Sequence, residues 1–239
     1  MGGRSSVVLA GWLILLLAVA SPGASAQGIF VTPVAGAPFS GLVVVERSRV
    51  QRDGSIVNLK TIRAIARDGQ GRIHNELRVF VPASSTQIPE LLHIHLYDPQ
   101  TRISATINVP DKTFLTRTLS HPPSTEPPSI RYASPTGSNP PSDFTKEEDL
   151  GIHEIEGVAA HGLRETQTLP AGNDSPGKEL VITDEYWYSE ELRINLMIKH
   201  TDPRTGTETL TVSQIARGEP DPAFFQIPEG YKRARTETH

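Results

Sequence analysis

The residues best placed to do chemistry are two histidines, His93-x-His95, which a strand would project from one face at a spacing able to chelate zinc or copper. No third ligand is identifiable beside them. The glutamate that a cupin-like continuation would need four residues on is replaced by Pro99. Leu92, Ile94 and Leu96 supply an apolar row on the opposite face, so the histidines are expected to face water or a polar groove and to hold no metal. Gly172-x-x-x-x-Gly177-Lys178 copies most of a phosphate-binding loop, but Glu179 stands where Ser or Thr would hold magnesium, and a strand follows where the loop needs a helix. There is no Gly-x-Ser-x-Gly elbow. The carboxylate pairs Glu154/Glu156 and Glu190/Glu191 have nothing to separate them into an acid and a base. Asn173-Asp174-Ser175 is a glycosylation acceptor only in a eukaryotic host. No catalytic residue and no cofactor are therefore expected. Tyr186-Trp187-Tyr188 is the single aromatic cluster, and alternation sends the indole one way and the tyrosines the other; a packed Trp with surface tyrosines is the expected arrangement, and a ligand platform the other reading.

The elements that must position these residues begin after an export signal. Arg4 precedes an apolar stretch from Val7 to Ala20, and Ala24-Ser25-Ala26 is a small-x-small cleavage site, so residues 1–26 read as a signal peptide removed before Gln27. The stretch is too short for a membrane span, which needs about 20 residues. A soluble periplasmic or secreted protein with no transmembrane anchor is the expectation. The chain has no cysteine, which excludes a disulfide framework, a thiolate metal site and a lipid-modified N-terminal cysteine. Its formal charge of −4 argues against a nucleic-acid partner. The charge is uneven. Residues 40–80 carry eight cations (Arg47, Arg49, Arg52, Lys60, Arg63, Arg67, Arg72, Arg78) against four acids, and residues 143–239 carry ten cations against nineteen acids. Two solvated faces of opposite sign explain this, and a basic surface for an anionic envelope polymer or lipid headgroup is the sharper alternative.

Apolar residues recur with a period of two. Leu192, Ile194, Leu196 and Ile198 alternate with polar neighbours, as do Ile103, Ala105, Ile107 and Val109. The pattern predicts an all-β, mainly antiparallel protein of about eleven strands, near 41–51, 55–67, 72–82, 91–98, 102–109, 113–119, 149–157, 159–169, 179–189, 192–202 and 206–217, with turns at the Asp/Gly/Pro clusters between them. Helix signals are confined to a turn or two around Ser142–Glu148 and a single turn at Asp221-Pro222-Ala223-Phe224. Seven prolines between 120 and 145 mark a long exposed crossover between a six-strand first half and a five-strand second half. Residues 27–39 are a separate N-terminal segment, and 40–239 one curved β domain. The Lys232-Arg233-x-Arg235 tail reads as a solvated terminus.

The C-terminal third carries a distinctive set of motifs: Asp149-Leu150-Gly151, Ile155-Glu156-Gly157-Val158, Glu185-Tyr186-Trp187-Tyr188-Ser189-x-Glu191-Leu192, Asp202-Pro203-Arg204-Thr205-Gly206 and Glu219-Pro220-Asp221-Pro222-x-Phe224-Phe225-Gln226-Ile227-Pro228-x-Gly230-Tyr231. With Pro38-Phe39-Ser40-Gly41 and the Asp98-Pro99-x-Thr101 turn, it resembles a group of secreted bacterial proteins of unknown function. These are similar in turn to the half-barrel of the outer-membrane lipoprotein-sorting carriers. The resemblance implies a strongly curved sheet whose concave apolar face, covered by helices, receives acyl chains. Residues 27–39 hold two prolines and two glycines and no amphipathic helix, so the lid is expected to be missing or replaced by the Pro-rich crossover.

These readings combine into a non-enzymatic exported envelope protein that binds or carries an apolar or amphipathic ligand, a lipid or a lipoprotein acyl chain. Leu92, Ile94, Leu96, Leu192, Ile194 and Leu196 are expected to line its groove. The competing reading is a structural or interaction protein of the envelope whose sheet fills itself.

Overall fold

The structure is a computed structural model, and it describes residues 29–120, 144–170 and 179–234. The signal segment, most of the Pro-rich crossover and the Gly172–Lys178 loop lie outside these residues. Thirteen strands form one curved, open sheet. The first half contributes β1 (Phe39–Val50), β2 (Ile56–Arg67), β3 (Ile73–Arg78), β4 (Val81–Pro82), β5 (Leu91–Asp98), β6 (Ile103–Asn108) and β7 (Thr113–Thr118). The second half contributes β8 (Thr145–Ile155), β9 (Val158–Leu169), β10 (Leu180–Ser189), β11 (Ile194–Asp202) and β12 (Gly206–Arg217), and β13 (Lys232–Arg233) closes the chain. The spatial order is β13-β7-β6-β5-β3-β2-β1-β12-β11-β10-β9-β8, with β4 against β2. Every pairing is antiparallel except the short β13·β7 ladder.

Each half is thus a meander, and the two are stitched together where β1 meets β12. The segment between β7 and β8 connects opposite edges of the sheet. Tight turns make the meanders possible. Between β8 and β9, Glu156 (φ 52°) and Gly157 (φ 72°) occupy both left-handed positions of a two-residue hairpin, a conformation that suits glycine at the second.

Two expectations about local structure fail. Of the residues around Ser142–Glu148 that the structure describes, Phe144 alone is in a 3-10 turn, and β8 begins at Thr145. It is an edge strand wet on both faces, so its Lys-Glu-Glu-Asp run carries no apolar alternation. The Lys232-Arg233 pair is not a free tail either. Lys232 N donates to Lys112 O (3.0 Å) and Ala234 N to Phe114 O (2.8 Å), covering the other edge. A single 3-10 turn at Pro222–Phe225, capped by the Asp221 carboxylate, stands where the sequence placed it.

The core divides into two clusters. The larger gathers Phe39, Val43, Val45, Ile65, Ile73, Tyr97, Tyr186, Leu196, Ile198, Leu210 and Val212 with Ile29 and Val31 of the N-terminal segment. The smaller gathers Ile94, Leu96, Ala105 and Ile107, packed under Ile227 and Tyr231 of the C-terminal tail.

Candidate functional site

Register decides which residues can share a surface, because directly opposed residues in a ladder point to the same side of a sheet. Ile198 opposes Leu210, Leu210 opposes Val45, and two-residue steps along β1 lead to Phe39, which opposes Arg67. Arg67 opposes Ile73 and Ile73 opposes Tyr97. Tyr97 is therefore on the same face as Ile198, here the first face, and Leu96 and Ile94 are on the second. The rows expected to line one groove do not share a face: Leu196, with Ile198, is on the first and Ile94 and Leu96 are on the second, while a bulge in the β10·β11 ladder breaks the alternation before Ile194. Leu192, Ile194 and Leu196 are 2, 2 and 0% exposed in the larger core, while Ile94 and Leu96 are 8 and 7% exposed in the smaller one, with Leu92 half-buried beside them. The common concave surface expected of these six residues does not form.

What covers the first face is the N-terminal segment. Ile29, Val31, Val34 and Ala37 are buried at 1, 3, 6 and 7% exposure, so this segment, in place of a helix, fills the position expected of a lid. Two buried arginines of β2 hold it. Arg63 donates to Ile29 O (3.1 Å). Arg67, fully buried, donates to Ala37 O (2.9 Å), Thr32 O (3.1 Å) and Leu192 O. Burial drives the Arg67 guanidinium down to about 10, and it remains charged at neutral pH on three carbonyl dipoles. The amide of Val31 donates to Asn75 Oδ1 (3.3 Å). This narrows the basic surface expected of residues 40–80 to Arg49, Arg52 and Lys60. Arg63 and Arg67 are internal, and Arg47, Arg72 and Arg78 pair with Glu208 (2.6 Å), Asp68 (2.5 Å) and Glu76 (2.8 Å).

The C-terminal tail covers the second face of the first half. His74 donates from Nδ1 to Phe224 O (2.7 Å) with the Phe224 ring edge-on to the imidazole, and Glu219 accepts from Gly69 N (3.0 Å). His93 and His95 sit on the first face. His95 Nε2 contacts Ser104 Oγ (3.0 Å), and burial followed by the Arg117 charge lowers its pKa. Among the described residues, no group of three His, Asp or Glu side chains converges as a metal site.

The second half and the adjoining β1 and β2 leave their second face uncovered by either segment, and there the registers order the side chains into bands running across the sheet. One band is apolar: Ile62, Val44, Thr211, Met197, Trp187 and Gly162 are successive partners from β2 to β9. The next is charged, with Lys60, Glu46, Thr209, Lys199, Glu185, Arg164 and Glu148 in alternating sign around one threonine. Arg164 bridges Glu185 (2.8 Å) and Glu148 (3.1 Å). A third carries hydroxyls, Ser48, Thr207, Thr201, Thr183 and Thr166. At the end of the apolar band, Leu150, His153, Ile155, Arg164, Trp187 and Met197 line an open groove of about 390 Å³. His153 meets the indole edge-on at 5.0 Å.

The aromatic triplet is the reverse of its expected arrangement. Tyr186 and Tyr188 are the packed residues, each 3% exposed, and Trp187 is the half-exposed one. The sequence signal for the groove was Gly162 in mid-strand, since glycine there marks a place where something must approach the backbone closely.

No family model matches the chain, and no curated protein matches it. Solved structures do. They include MucB from the Pseudomonas aeruginosa MucA/MucB complex, at 12% identity over 80% of this chain and 55% of that one, with a TM-score of 0.36. The lipoprotein LppX from Mycobacterium tuberculosis aligns at 13% identity over 76% of this chain and 87% of that one, with a TM-score of 0.27. An outer membrane lipoprotein-sorting protein domain from Vibrio parahaemolyticus aligns at 11% identity over 79% of this chain and 89% of that one, with a TM-score of 0.18. This chain thus spans little more than half the length of the MucB chain.

Proposed function

We propose that the chain is an exported envelope protein that binds an amphipathic lipid, or the acyl chain of a lipoprotein, in the Trp187 groove without catalysing a reaction. The observation that carries this reading is the groove itself: an apolar hollow of about 390 Å³, open to solvent, beside a charged band on the same face. Each buried methylene contributes about 0.8 kcal/mol, so six contribute on the order of 5 kcal/mol before ordering costs. The chain has two tryptophans, Trp12 and Trp187, and removal of the signal segment leaves Trp187 alone. Titration of the processed protein with a spin-labelled fatty acid is expected to quench that fluorescence saturably. Absence of saturable quenching sinks the reading.

The competing reading, a self-filled envelope protein, is favoured by the way residues 29–38 pack on the first face and residues 219–234 on the second face of β3, β5, β6 and β7. Native mass spectrometry of protein purified from its own envelope separates the two. A retained lipid mass supports carriage, and a bare chain supports the structural role.

A further inference from the structure

The β1–β2 hairpin runs past its neighbours. The β12 ladder ends at the Arg49–Gly206 pair, and β4 pairs with β2 only at Leu59 and Lys60. Residues 50–57 therefore stand beyond the rest of the sheet, tied to it by Val50 N donating to Thr205 O (3.1 Å). The side chains at this tip are not those of an ordinary solvated turn. Val50, Ile56 and Val57 are 37, 64 and 40% exposed. Val50 opposes Ile56 on one face and Val57 opposes Arg49 on the other, so both faces of the tip present apolar surface. Ile88, 83% exposed, lies in the loop after β4, which Ala83 N fastens to the same end of the sheet through Asn58 O (2.9 Å).

The tip is also hydrogen-bonded within itself and cationic. Gln51 N donates to Ser55 O (2.8 Å), Gly54 N donates to Gln51 O (2.9 Å), and the Asp53 carboxylate accepts from Ser55 N (2.9 Å) and Ser55 Oγ (2.7 Å). Its one carboxylate is thereby engaged within the turn. Arg49 and Arg52 have no ion-pair partner among the described residues. Arg47 is paired with Glu208 and Lys60 opposes Glu46, which leaves Arg49 and Arg52 as the cations of the tip, while residues 143–239 are strongly acidic. An anionic surface attracts such a molecule hairpin first.

We infer that the β1–β2 hairpin is a membrane-docking wedge that seats in the headgroup layer of an anionic bilayer. Val50, Ile56 and Val57 enter the acyl boundary, and Arg49 and Arg52 meet lipid phosphates. A tip of this length suits the depth of roughly 5–10 Å reached by interfacial apolar elements, and the basic flanks supply the charge complementarity. The inference goes beyond the groove and does not depend on what the groove holds.

The absence of cysteine makes the test direct. Ile56→Cys, labelled with an environment-sensitive fluorophore, is mixed with vesicles of phosphatidylglycerol and phosphatidylethanolamine, with phosphatidylcholine vesicles as the neutral comparison. Glu190→Cys, in the turn at the opposite end of the sheet, is the control label. The expected result is a blue shift at position 56 only, with anionic vesicles only, and weakened by salt. Ile56→Asp with Val57→Asp is expected to reduce vesicle co-sedimentation at least tenfold while leaving the melting temperature unchanged, because both positions are exposed. Equal shifts at 56 and 190, no shift with anionic vesicles, undiminished binding by the double variant, or a shift at 56 that requires an envelope protein instead of lipid would each overturn the inference.

Discussion

The indole of Trp187 occupies the space that a side chain on Gly162 would need: a Cβ at that position would stand 2.7 Å from Cζ3 and 2.8 Å from Cη2 of the ring. The two residues are direct partners in the β9–β10 ladder, so the groove wall exists only because one of them has no side chain.

Gly162→Ala is therefore expected to push the indole outward. Overpacking of this kind costs about 1–3 kcal/mol, measurable by denaturant unfolding. The fluorescence maximum of the processed protein should shift and ligand quenching should weaken together. An unchanged spectrum would show that the ring can move without leaving the groove.

Arg67 is expected to be the most sensitive charged position. Arg67→Met leaves the carbonyls of Thr32, Ala37 and Leu192 without their buried donor. Unpaired groups of this kind cost about 1–3 kcal/mol each, although removal of a buried charge offsets part of the loss. A net destabilisation of at least ~2 kcal/mol, with early proteolysis within residues 29–38, is the expected outcome. Protection of that segment equal to the parent protein would show that apolar packing alone holds it.

Acid should unfold the protein partly through Glu76. Burial pushes this carboxyl up, but the His74 imidazole 3.9 Å away, hydrogen bonds from Arg78 and the Ala64 amide, and the Arg78 charge outweigh it and bring the group down to about 2. A depressed carboxylate contributes stability that is fully present above its unfolded value near 4.5 and is lost as pH falls toward 2. Glu76→Gln should lower stability at pH 7 and flatten its dependence on pH across that window. A parallel-shifted profile of unchanged slope would contradict the assignment.

His200 acts in the opposite direction. A hydrogen bond to Asp184 (2.7 Å) raises its pKa against the opposing effect of burial, helped by the charges of Asp184, Asp202 and Glu208. A raised histidine contributes stability that is fully present below its unfolded value near 6.5 and is lost as pH rises through the folded value. An NMR titration should place the His200 midpoint above 6.5, and Asp184→Asn should lower it.

Strand positions were legible because one face of most strands is buried, which imposes a period of two. The 91–98 strand was read to the residue, and the alternation of Leu192, Ile194, Leu196 and Ile198 was read as a one-sided row. The face on which each row lies was not legible. Alternation says that Ile94 and Leu196 each belong to a row, but their relation passes through every intervening register and the bulge in the β1·β12 ladder, and one residue of offset reverses it. The aromatic triplet fails for the same reason: period two separates Trp187 from Tyr186 and Tyr188 without saying which side is core. Arg63 and Arg67 were counted as surface charge because their partners are backbone carbonyls, which carry no side-chain signature.

The β1·β12 seam has a kinetic consequence. Ser213 Oγ donates to Leu42 O across 171 residues of chain, and this ladder sits at the centre of the sheet. A chain made N-terminus first holds β1 with one unpaired edge until β12 arrives, so the two meanders cannot join until almost all of the polypeptide is present. Such non-local closure slows folding and leaves an unpaired edge open to wrong pairing in the interval. Refolding should accordingly show a slow phase that Leu42→Pro, which removes a donor from the seam, abolishes along with the native state.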